Sequence, residues 1–165
     1  MSATDLESGR VDYLTLDQQV CFALGVASRS VISLYRPLLE PLGLTHPQYL
    51  VMVALWQDES LSVKEISARL QLEPPSVSPV LKRLEVAGLI ERQRDAADER
   101  TVRLSLTERG RALRAEASHV PEAMLERLAM GVDELVALRS SLLRVISSAE
   151  SAEGRRRVAN PEASD

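Results

Sequence analysis

The chain has 165 residues, of which 45% are apolar, 27% are charged and 3% are aromatic, and its net charge is −4. This length predicts one domain with a core of its own, and the scarcity of aromatic residues favours helices over a β-sandwich or barrel. No apolar run is long enough for a transmembrane helix, and the polar N-terminal segment does not resemble an export signal. The single cysteine, Cys21, rules out an intramolecular disulfide, so we expect a cytoplasmic protein.

The N-terminal third of the chain predicts an arm followed by two helices. Residues 1–14 are polar and acidic, which is typical of a flexible arm. Apolar residues then recur at helical spacing over residues 16–40, and Pro37 is expected to kink or end this first helix. Thr45 or His46 is expected to cap a second helix over residues 47–56, with Pro47 at its first position. We therefore expect two helices joined by a short turn.

The next segment has the pattern of a helix-turn-helix. Residues 64–70 have the spacing of a short amphipathic helix, and Ser62 is placed to cap it. After a turn, Pro74 and Pro75 favour the first turn of another helix, where a missing backbone N–H costs little. Gly88 follows as a residue that readily adopts the left-handed conformation at a helix end. Two short helices joined in this way are typical of DNA-binding motifs.

A charged β-hairpin comes directly after this motif. Residues 89–94 and 101–106 predict two strands, the second with clear alternation of apolar and polar residues. Residues 95–100 form the charged tip between them. The segment over residues 60–110 has a slight excess of basic residues, although the whole chain is acidic. The order of helix, turn, helix and hairpin predicts a winged helix-turn-helix.

The C-terminal part of the chain predicts two long helices and a tail. Thr107 begins a helical pattern that reaches Met130, and Pro121 is expected to bend it. Residues 133–148 predict a last helix, and the polar residues 150–165 predict a disordered tail. The predicted fold is therefore mainly α, with a small β-hairpin wing.

The second helix of the motif and the hairpin tip carry residue types that contact DNA. Small hydroxyls near the start of a recognition helix reach base edges in the major groove, and basic side chains further along bind phosphates or guanine. The N–H groups of the first turn are also expected to favour a phosphate. An arginine at the hairpin tip can enter the minor groove while a nearby carboxylate holds its rotamer. Each residue alone fits an ordinary solvated surface, but their order predicts DNA binding through Ser76, Ser78, Lys82, Arg83, Asp98 and Arg100.

The segment over residues 61–110 resembles the DNA-binding lobe of the MarR family, most clearly in LKRLEVAGLIER, the triplet DER and LSLTERG. The stretch that begins LDQQVCF resembles one branch of that family, the organic hydroperoxide sensors (OhrR), in their one-cysteine type. The resemblance implies one domain over residues 15–149 that binds a pseudo-palindromic operator as a homodimer. It implies dimerisation helices over residues 16–45 and 108–149 and a winged helix-turn-helix lobe over residues 47–107.

The same resemblance implies a redox-sensing site made of Cys21, Tyr35 and His46. In the OhrR branch a cysteine near the start of the first helix reacts with peroxide, and Cys21 matches it. Two tyrosines of the other subunit normally hydrogen-bond that thiolate. Tyr35 matches the first, whereas His46 stands where the branch has the second, and Gly25 replaces a further tyrosine. Without the resemblance, a lone cysteine between apolar neighbours is more often an inert core residue.

These observations predict a transcriptional repressor that releases its operator when an organic hydroperoxide oxidises Cys21, with a small thiol as a mixed-disulfide partner. The alternative is a repressor released by a small phenolic or aromatic ligand, in an apolar site lined by His46, Tyr49 and Trp56. A protein-interaction module without DNA contact is a third reading. An enzyme is not expected, because no third residue is evident to orient a pair of Cys21 and His46. No cofactor or metal site is expected either.

Overall fold

The computed structural model describes the backbone of residues 14–94 and 102–159 and the side chains of residues 14–93 and 102–152. The chain divides into two compact units, residues 1–124 and 125–165, which are described separately. Within the described residues, no helix combines the length and the apolar character needed to cross a membrane. The helices are α1 (Val20–Leu39), α2 (His46–Gln57), α3 (Val63–Leu70), α4 (Pro74–Val86), α5 (Glu108–Ala117), α6 (Val120–Leu128) and α7 (Val132–Ala159), and the strands are β1 (Ser60–Ser62), β2 (Ile90–Arg94) and β3 (Val102–Leu106).

Local hydrogen bonds explain where the helices of the first unit begin and end. The Ser62 hydroxyl accepts a hydrogen bond from the Glu65 N–H at 3.2 Å, and the Glu65 carboxylate accepts one from the Ser62 N–H at 2.7 Å. This reciprocal capping box starts α3 as the sequence predicted, and it lowers the pKa of Glu65. Two prolines form the first turn of α4, and Gly88 ends it with φ +68°. The predicted helix-turn-helix is therefore confirmed.

The three strands form one antiparallel sheet with β3 in the centre. β1 pairs with β3 on one side and β2 pairs with β3 on the other, so that Leu61 and Arg92 both lie opposite Leu104. The guanidinium of Arg103 donates to the Ser60 carbonyl oxygen at 2.7 Å and to its hydroxyl at 3.0 Å. The predicted wing hairpin is confirmed. β1 completes the sheet on the other side of β3.

The core of the first unit lies between the helices of the lobe and the inner face of the sheet. It is built almost entirely from aliphatic side chains, as the low aromatic content predicted. Its largest fully buried members are Leu39, Val51, Met52, Leu55, Ile66, Val77, Leu81, Leu84, Ile90, Leu104 and Val120.

The predictions for Pro121 and for the C-terminal tail differ from the structure. Pro37 lies inside α1, which ends two residues later at Leu39, and the kink expected at Pro37 stays a prediction. The expected long helix after Thr107 is divided into α5 and α6, because Pro121 lacks an N–H and its ring blocks the carbonyl of Ala117, the last residue of α5. The expected disordered tail over residues 150–165 was wrong for residues 150–159, which continue α7. Residues 160–165 lie outside the described residues.

One glycine allows α5 to pack against the backbone that follows α4. A Cβ built on Gly110 would overlap the Leu89 carbonyl oxygen and would lie 3.3 Å from the Leu106 side chain. The Gly110 carbonyl oxygen also accepts a hydrogen bond from the Trp56 indole N–H at 2.9 Å. Because the obstacle to any larger residue is backbone, it cannot be relieved by a change of rotamer.

We predict that Gly110→Ala destabilises the protein by about 3 kcal/mol, since the added methyl group forces α5 away from Leu89. The free energy of unfolding from urea titration measures this. Gly131→Ala is the matched control, because a Cβ there has no neighbour closer than 3.4 Å. Equal stability of the two variants would contradict the packing argument.

Candidate DNA interface and thiol site

The two faces of α4 differ sharply in character. Its apolar side chains Val77, Val80, Leu81 and Leu84 are buried in the lobe. The four candidate DNA-contacting residues lie on the solvent-exposed side of the same helix. They are Ser76, Ser78, Lys82 and Arg83.

The start of α4 is poor in hydrogen-bond donors. Pro74 and Pro75 have no backbone N–H, and the N–H groups of Ser76 and Val77 both donate to the Glu73 carbonyl oxygen, at 2.9 and 3.3 Å. The expectation that N–H groups of this first turn bind a phosphate was therefore wrong. A helix that begins with two prolines has no such donors to offer.

The C-terminal end of α4 contacts β2 of the wing and α5 through two arginines that sequence reasoning missed. Arg92 on β2 forms an ion pair with Glu85 at 3.0 Å, and Arg109 on α5 donates to the Ala87 carbonyl oxygen at 2.8 Å. The first contact joins residues seven positions apart in different elements, and the second joins residues 22 positions apart, so no helix or strand periodicity indicates them. The hairpin tip residues Asp98 and Arg100 lie outside the described residues, and their DNA contacts stay a prediction.

Cys21 is exposed near the start of α1, which contradicts the interpretation as a buried core residue. Its Sγ lies 4.0 Å from the Gln19 side-chain oxygen. Tyr35 follows fourteen residues later on the same continuous helix, a separation of about 21 Å at 1.5 Å per residue. Within one chain the thiol and the Tyr35 hydroxyl are therefore not brought together.

Tyr35 and His46 do come together, as part of a short row of aromatic rings. Their ring centroids lie 4.8 Å apart, and Tyr49 follows at 5.9 Å from Tyr35. Burial lowers the pKa of His46 below its ordinary value of 6.5 and raises the pKa of Tyr35. At neutral pH, His46 is thus an uncharged imidazole with one N–H to donate.

An open cleft of about 630 Å³ lies beside His46, between α1 and the start of α2. It is lined by Arg29 and Arg36 as well as by Glu40 and Ile32. The expected apolar site lined by His46, Tyr49 and Trp56 is not this cleft, since only His46 of the three contributes to it. The cleft combines apolar surface with two cationic groups.

Apolar side chains are exposed along α1 and, in the second unit, along α7. Large apolar side chains exposed along a helix face are typical of a protein-protein interface. The exposed residues are Val20, Phe22, Val26 and Ile32 on α1 and Val132, Val136, Leu138, Leu142, Leu143 and Val145 on α7.

The MarR family model matches residues 44–102 of the chain. The chain is 43% identical over 136 residues to the HTH-type transcriptional regulator TtmR of Methylorubrum extorquens, covering 82% of this chain and 70% of that one. It is 38% identical over 139 residues to the organic hydroperoxide resistance transcriptional regulator of Bacillus subtilis, covering 84% and 95%. The chain belongs to the MarR family.

Solved structures of MarR regulators agree with this membership. The structure of reduced AbfR bound to DNA has a TM-score of 0.69 and 28% identity, covering 81% of this chain and 95% of AbfR. AbfR of Staphylococcus epidermidis has also been solved in overoxidised and disulfide forms. CouR of Rhodococcus jostii RHA1 bound to p-coumaroyl-CoA has a TM-score of 0.69 and 27% identity, covering 81% and 94%.

As a MarR regulator, the protein is a DNA-binding transcriptional regulator of a family that acts as homodimers. The predicted winged helix-turn-helix fold is confirmed. The relatives are transcriptional regulators and not enzymes. The exposed apolar faces of α1 and α7 agree with dimerisation, because that surface is costly to leave in water.

The lowered pKa of His46 predicts a pH dependence of stability. Below pH 6.5 an unfolded chain binds a proton at His46 that the folded chain resists, so the free energy of unfolding should fall as the pH falls from 6.5 toward the folded pKa. We expect His46→Gln to reduce this slope in urea titrations between about pH 7.5 and 5.5. The other histidine, His119, is present in both proteins, so the comparison isolates position 46. Identical slopes would contradict burial of a neutral His46.

Proposed function

We propose that this MarR protein is a repressor that senses organic hydroperoxide by oxidation of Cys21 and then releases its operator. The observation that carries the proposal is the exposed thiol on α1, whose other end carries Tyr35 in contact with the His46 ring at the start of α2. The 38% identity to the Bacillus subtilis organic hydroperoxide resistance regulator supports the same chemistry. Such a regulator acts where the DNA is, so we also propose a cytoplasmic location.

The proposed domain organisation follows the family. Residues 15–149 form the MarR domain, in which residues 16–45 and 108–149 provide dimerisation helices and residues 47–107 the DNA-binding lobe. The recognition element is α4, whose exposed Ser76 and Ser78 face base edges while Lys82 and Arg83 bind phosphates or guanine. At the hairpin tip, Arg100 reaches the minor groove, and the Asp98 carboxylate holds its guanidinium in position.

The thiol site is proposed to form between two subunits. Since about 21 Å of helix separates Cys21 from Tyr35 within one chain, a hydrogen bond between them needs a second copy. There, the Tyr35 hydroxyl and the single N–H of neutral His46 donate to the ionised Cys21 thiol. Both are neutral donors, so they contact the sulfur through hydrogen bonds and not through a formal positive charge.

The proposed oxidation is a two-electron step. The Cys21 thiolate attacks one peroxide oxygen, the O–O bond breaks, and the organic alcohol leaves after taking up a proton, which gives sulfenic acid. The chain has no other cysteine. A small thiol therefore attacks the sulfenic acid, a mixed disulfide forms and water leaves.

The added group separates the subunits enough to change the spacing of the two recognition helices. A dimer reads half-sites about one helical turn apart, or a multiple of that distance, so its affinity depends on this spacing. A thousandfold loss of operator affinity requires only about 4 kcal/mol of distortion. A bulky adduct on Cys21 at a packed interface is an adequate source of this energy.

We predict that Cys21→Ser binds DNA as the wild type does but is not released by cumene hydroperoxide plus a small thiol. The serine hydroxyl keeps the size of the side chain and cannot be oxidised to a sulfenic acid. Fluorescence anisotropy on a duplex selected from a random pool by the reduced protein measures release.

The matched control for this prediction moves the thiol to another position on α1 and keeps one cysteine in the chain. The double variant Cys21→Ser/Ser28→Cys places an exposed cysteine on α1 two turns later. It should remain insensitive to the hydroperoxide, because its thiol is displaced by about 10 Å from the proposed site. If either variant released its DNA at the wild-type rate after hydroperoxide treatment, the assignment of Cys21 as the sensor would be contradicted.

A second function is favoured by the cleft beside His46. A repressor released by a phenolic or aromatic ligand would hold it there, and Arg29 and Arg36 would bind an anionic group such as a carboxylate or a phosphate. The similarity to CouR, which was solved with p-coumaroyl-CoA, supports this alternative.

We expect the two functions to separate in the Cys21→Ser background. Release of DNA from this variant by p-coumaroyl-CoA or p-coumarate, weakened about tenfold by a further Arg36→Gln, would establish the ligand-controlled repressor, since one charge-assisted hydrogen bond contributes about that much. Anisotropy titrations measure it. If the protein is a peroxide sensor instead, neither compound releases the DNA from the Cys21→Ser variant.

A further inference from the structure

Pro79 is an unusual residue for the position it occupies. It lies in the interior of α4, on the exposed side opposite Val77 and Leu81. A proline there cannot donate to the carbonyl of Pro75, four residues earlier, and its ring crowds that oxygen, which weakens a helix. A residue that weakens a helix on the face opposite its packing contacts indicates a functional requirement.

The N-terminal half of α4 is rich in hydrogen-bond acceptors. Pro79 deprives the Pro75 carbonyl oxygen of its usual i+4 donor, and the Ser78 hydroxyl donates to the Pro74 carbonyl oxygen at 2.9 Å. The Ser78 oxygen then has acceptor capacity left over. The backbone N–H groups of Ser76 and Val77 are already engaged with Glu73. Cationic donors appear only one turn after Pro79.

An A·T base pair is the complement of an acceptor next to an apolar ring. In the major groove, adenine offers an N6 amino donor and thymine offers its C5 methyl group. A G·C pair also offers one amino donor, from cytosine, but it has no methyl group, so the contact with the methyl group is what favours A·T.

We propose that Pro79 makes α4 read an A·T base pair: the Pro75 carbonyl oxygen accepts from the adenine amino group, and the Pro79 ring contacts the thymine methyl. The inference rests on the proposed role of α4 as the recognition helix. It assigns specificity to a backbone carbonyl and a proline ring, in addition to the polar side chains Ser76, Ser78, Lys82 and Arg83.

The test begins with the full-length wild type and a duplex pool whose randomised core spans about two to three helical turns. The wild type should select an A·T pair at one position of each half-site. Pro79→Ala regains the helical N–H and lacks the ring, so it should bind the selected duplex roughly tenfold more weakly and lose preference at that position. Its thermal midpoint should be equal or higher, which separates this loss from unfolding. Retention of the A·T preference by Pro79→Ala would overturn the proposal.

A second measurement needs no variant. Replacing the thymine at the selected position by uracil deletes only its methyl group, and it should weaken wild-type binding severalfold. An unchanged affinity would overturn the contact with the Pro79 ring, even if Pro79→Ala failed to fold. Val86→Ala, which removes an apolar side chain that is 81% exposed at the end of the same helix, should keep the A·T preference.

Different variants test the proposed role of α4 as the recognition helix and the proposed role of Pro79 in reading an A·T pair. Lys82→Ala and Arg83→Ala should weaken binding and reduce its salt dependence, because each removes a cation that displaces counterions. If neither variant changes affinity, α4 is not the recognition helix. If both weaken binding while Pro79→Ala matches the wild type, only the assignment of Pro79 is wrong.

Discussion

The close approach of α5 to the backbone that follows α4 is the constraint on which the rest of the lobe depends. The Leu89 carbonyl oxygen accepts from the Thr107 N–H at 3.1 Å, and the Gly88 carbonyl oxygen accepts from the Thr107 hydroxyl at 2.7 Å. Gly110 lets the first turn of α5 reach this backbone, and its carbonyl oxygen binds Trp56 of α2. One junction thus joins α2, α5, the end of α4 and the root of the wing.

This junction gives the two ends of α4 different roles. Glu85 and Ala87 at its C-terminal end are held by arginines from β2 and α5. Its N-terminal half instead carries the three prolines of α4, has the exposed residues Ser76 and Ser78, and contains a carbonyl without its usual donor. The end that is proposed to read bases needs no strong helix of its own, because the other end is anchored by tertiary contacts.

Sequence reasoning succeeded where a feature depends on neighbouring residues. The Ser62 cap of α3, the left-handed Gly88 and the two strands of the wing are all local, and the structure confirms them. The overlap that a side chain at Gly110 would cause involves Leu89, a contact that only the tertiary fold creates. The predicted first-turn phosphate site was wrong for a local reason, because Pro74 and Pro75 have no N–H and those of Ser76 and Val77 donate to Glu73. The candidate thiol site was predicted only through the family resemblance, since its parts are far apart within one chain.

Because Cys21 and Tyr35 lie far apart within one chain, a signal from the thiol would have to act at the interface between two subunits. The exposed Val20, Phe22 and Val26 surround Cys21 in sequence, so burying α1 against a second copy would remove apolar surface from water and bring the thiol toward Tyr35 of that copy. The same burial would set the distance between the two lobes and hence between the two α4 helices. In the proposed function, oxidation therefore changes the operator fit by altering the dimer interface directly. The lobe core can remain as rigid as Gly110 makes it, because no signal has to pass through it.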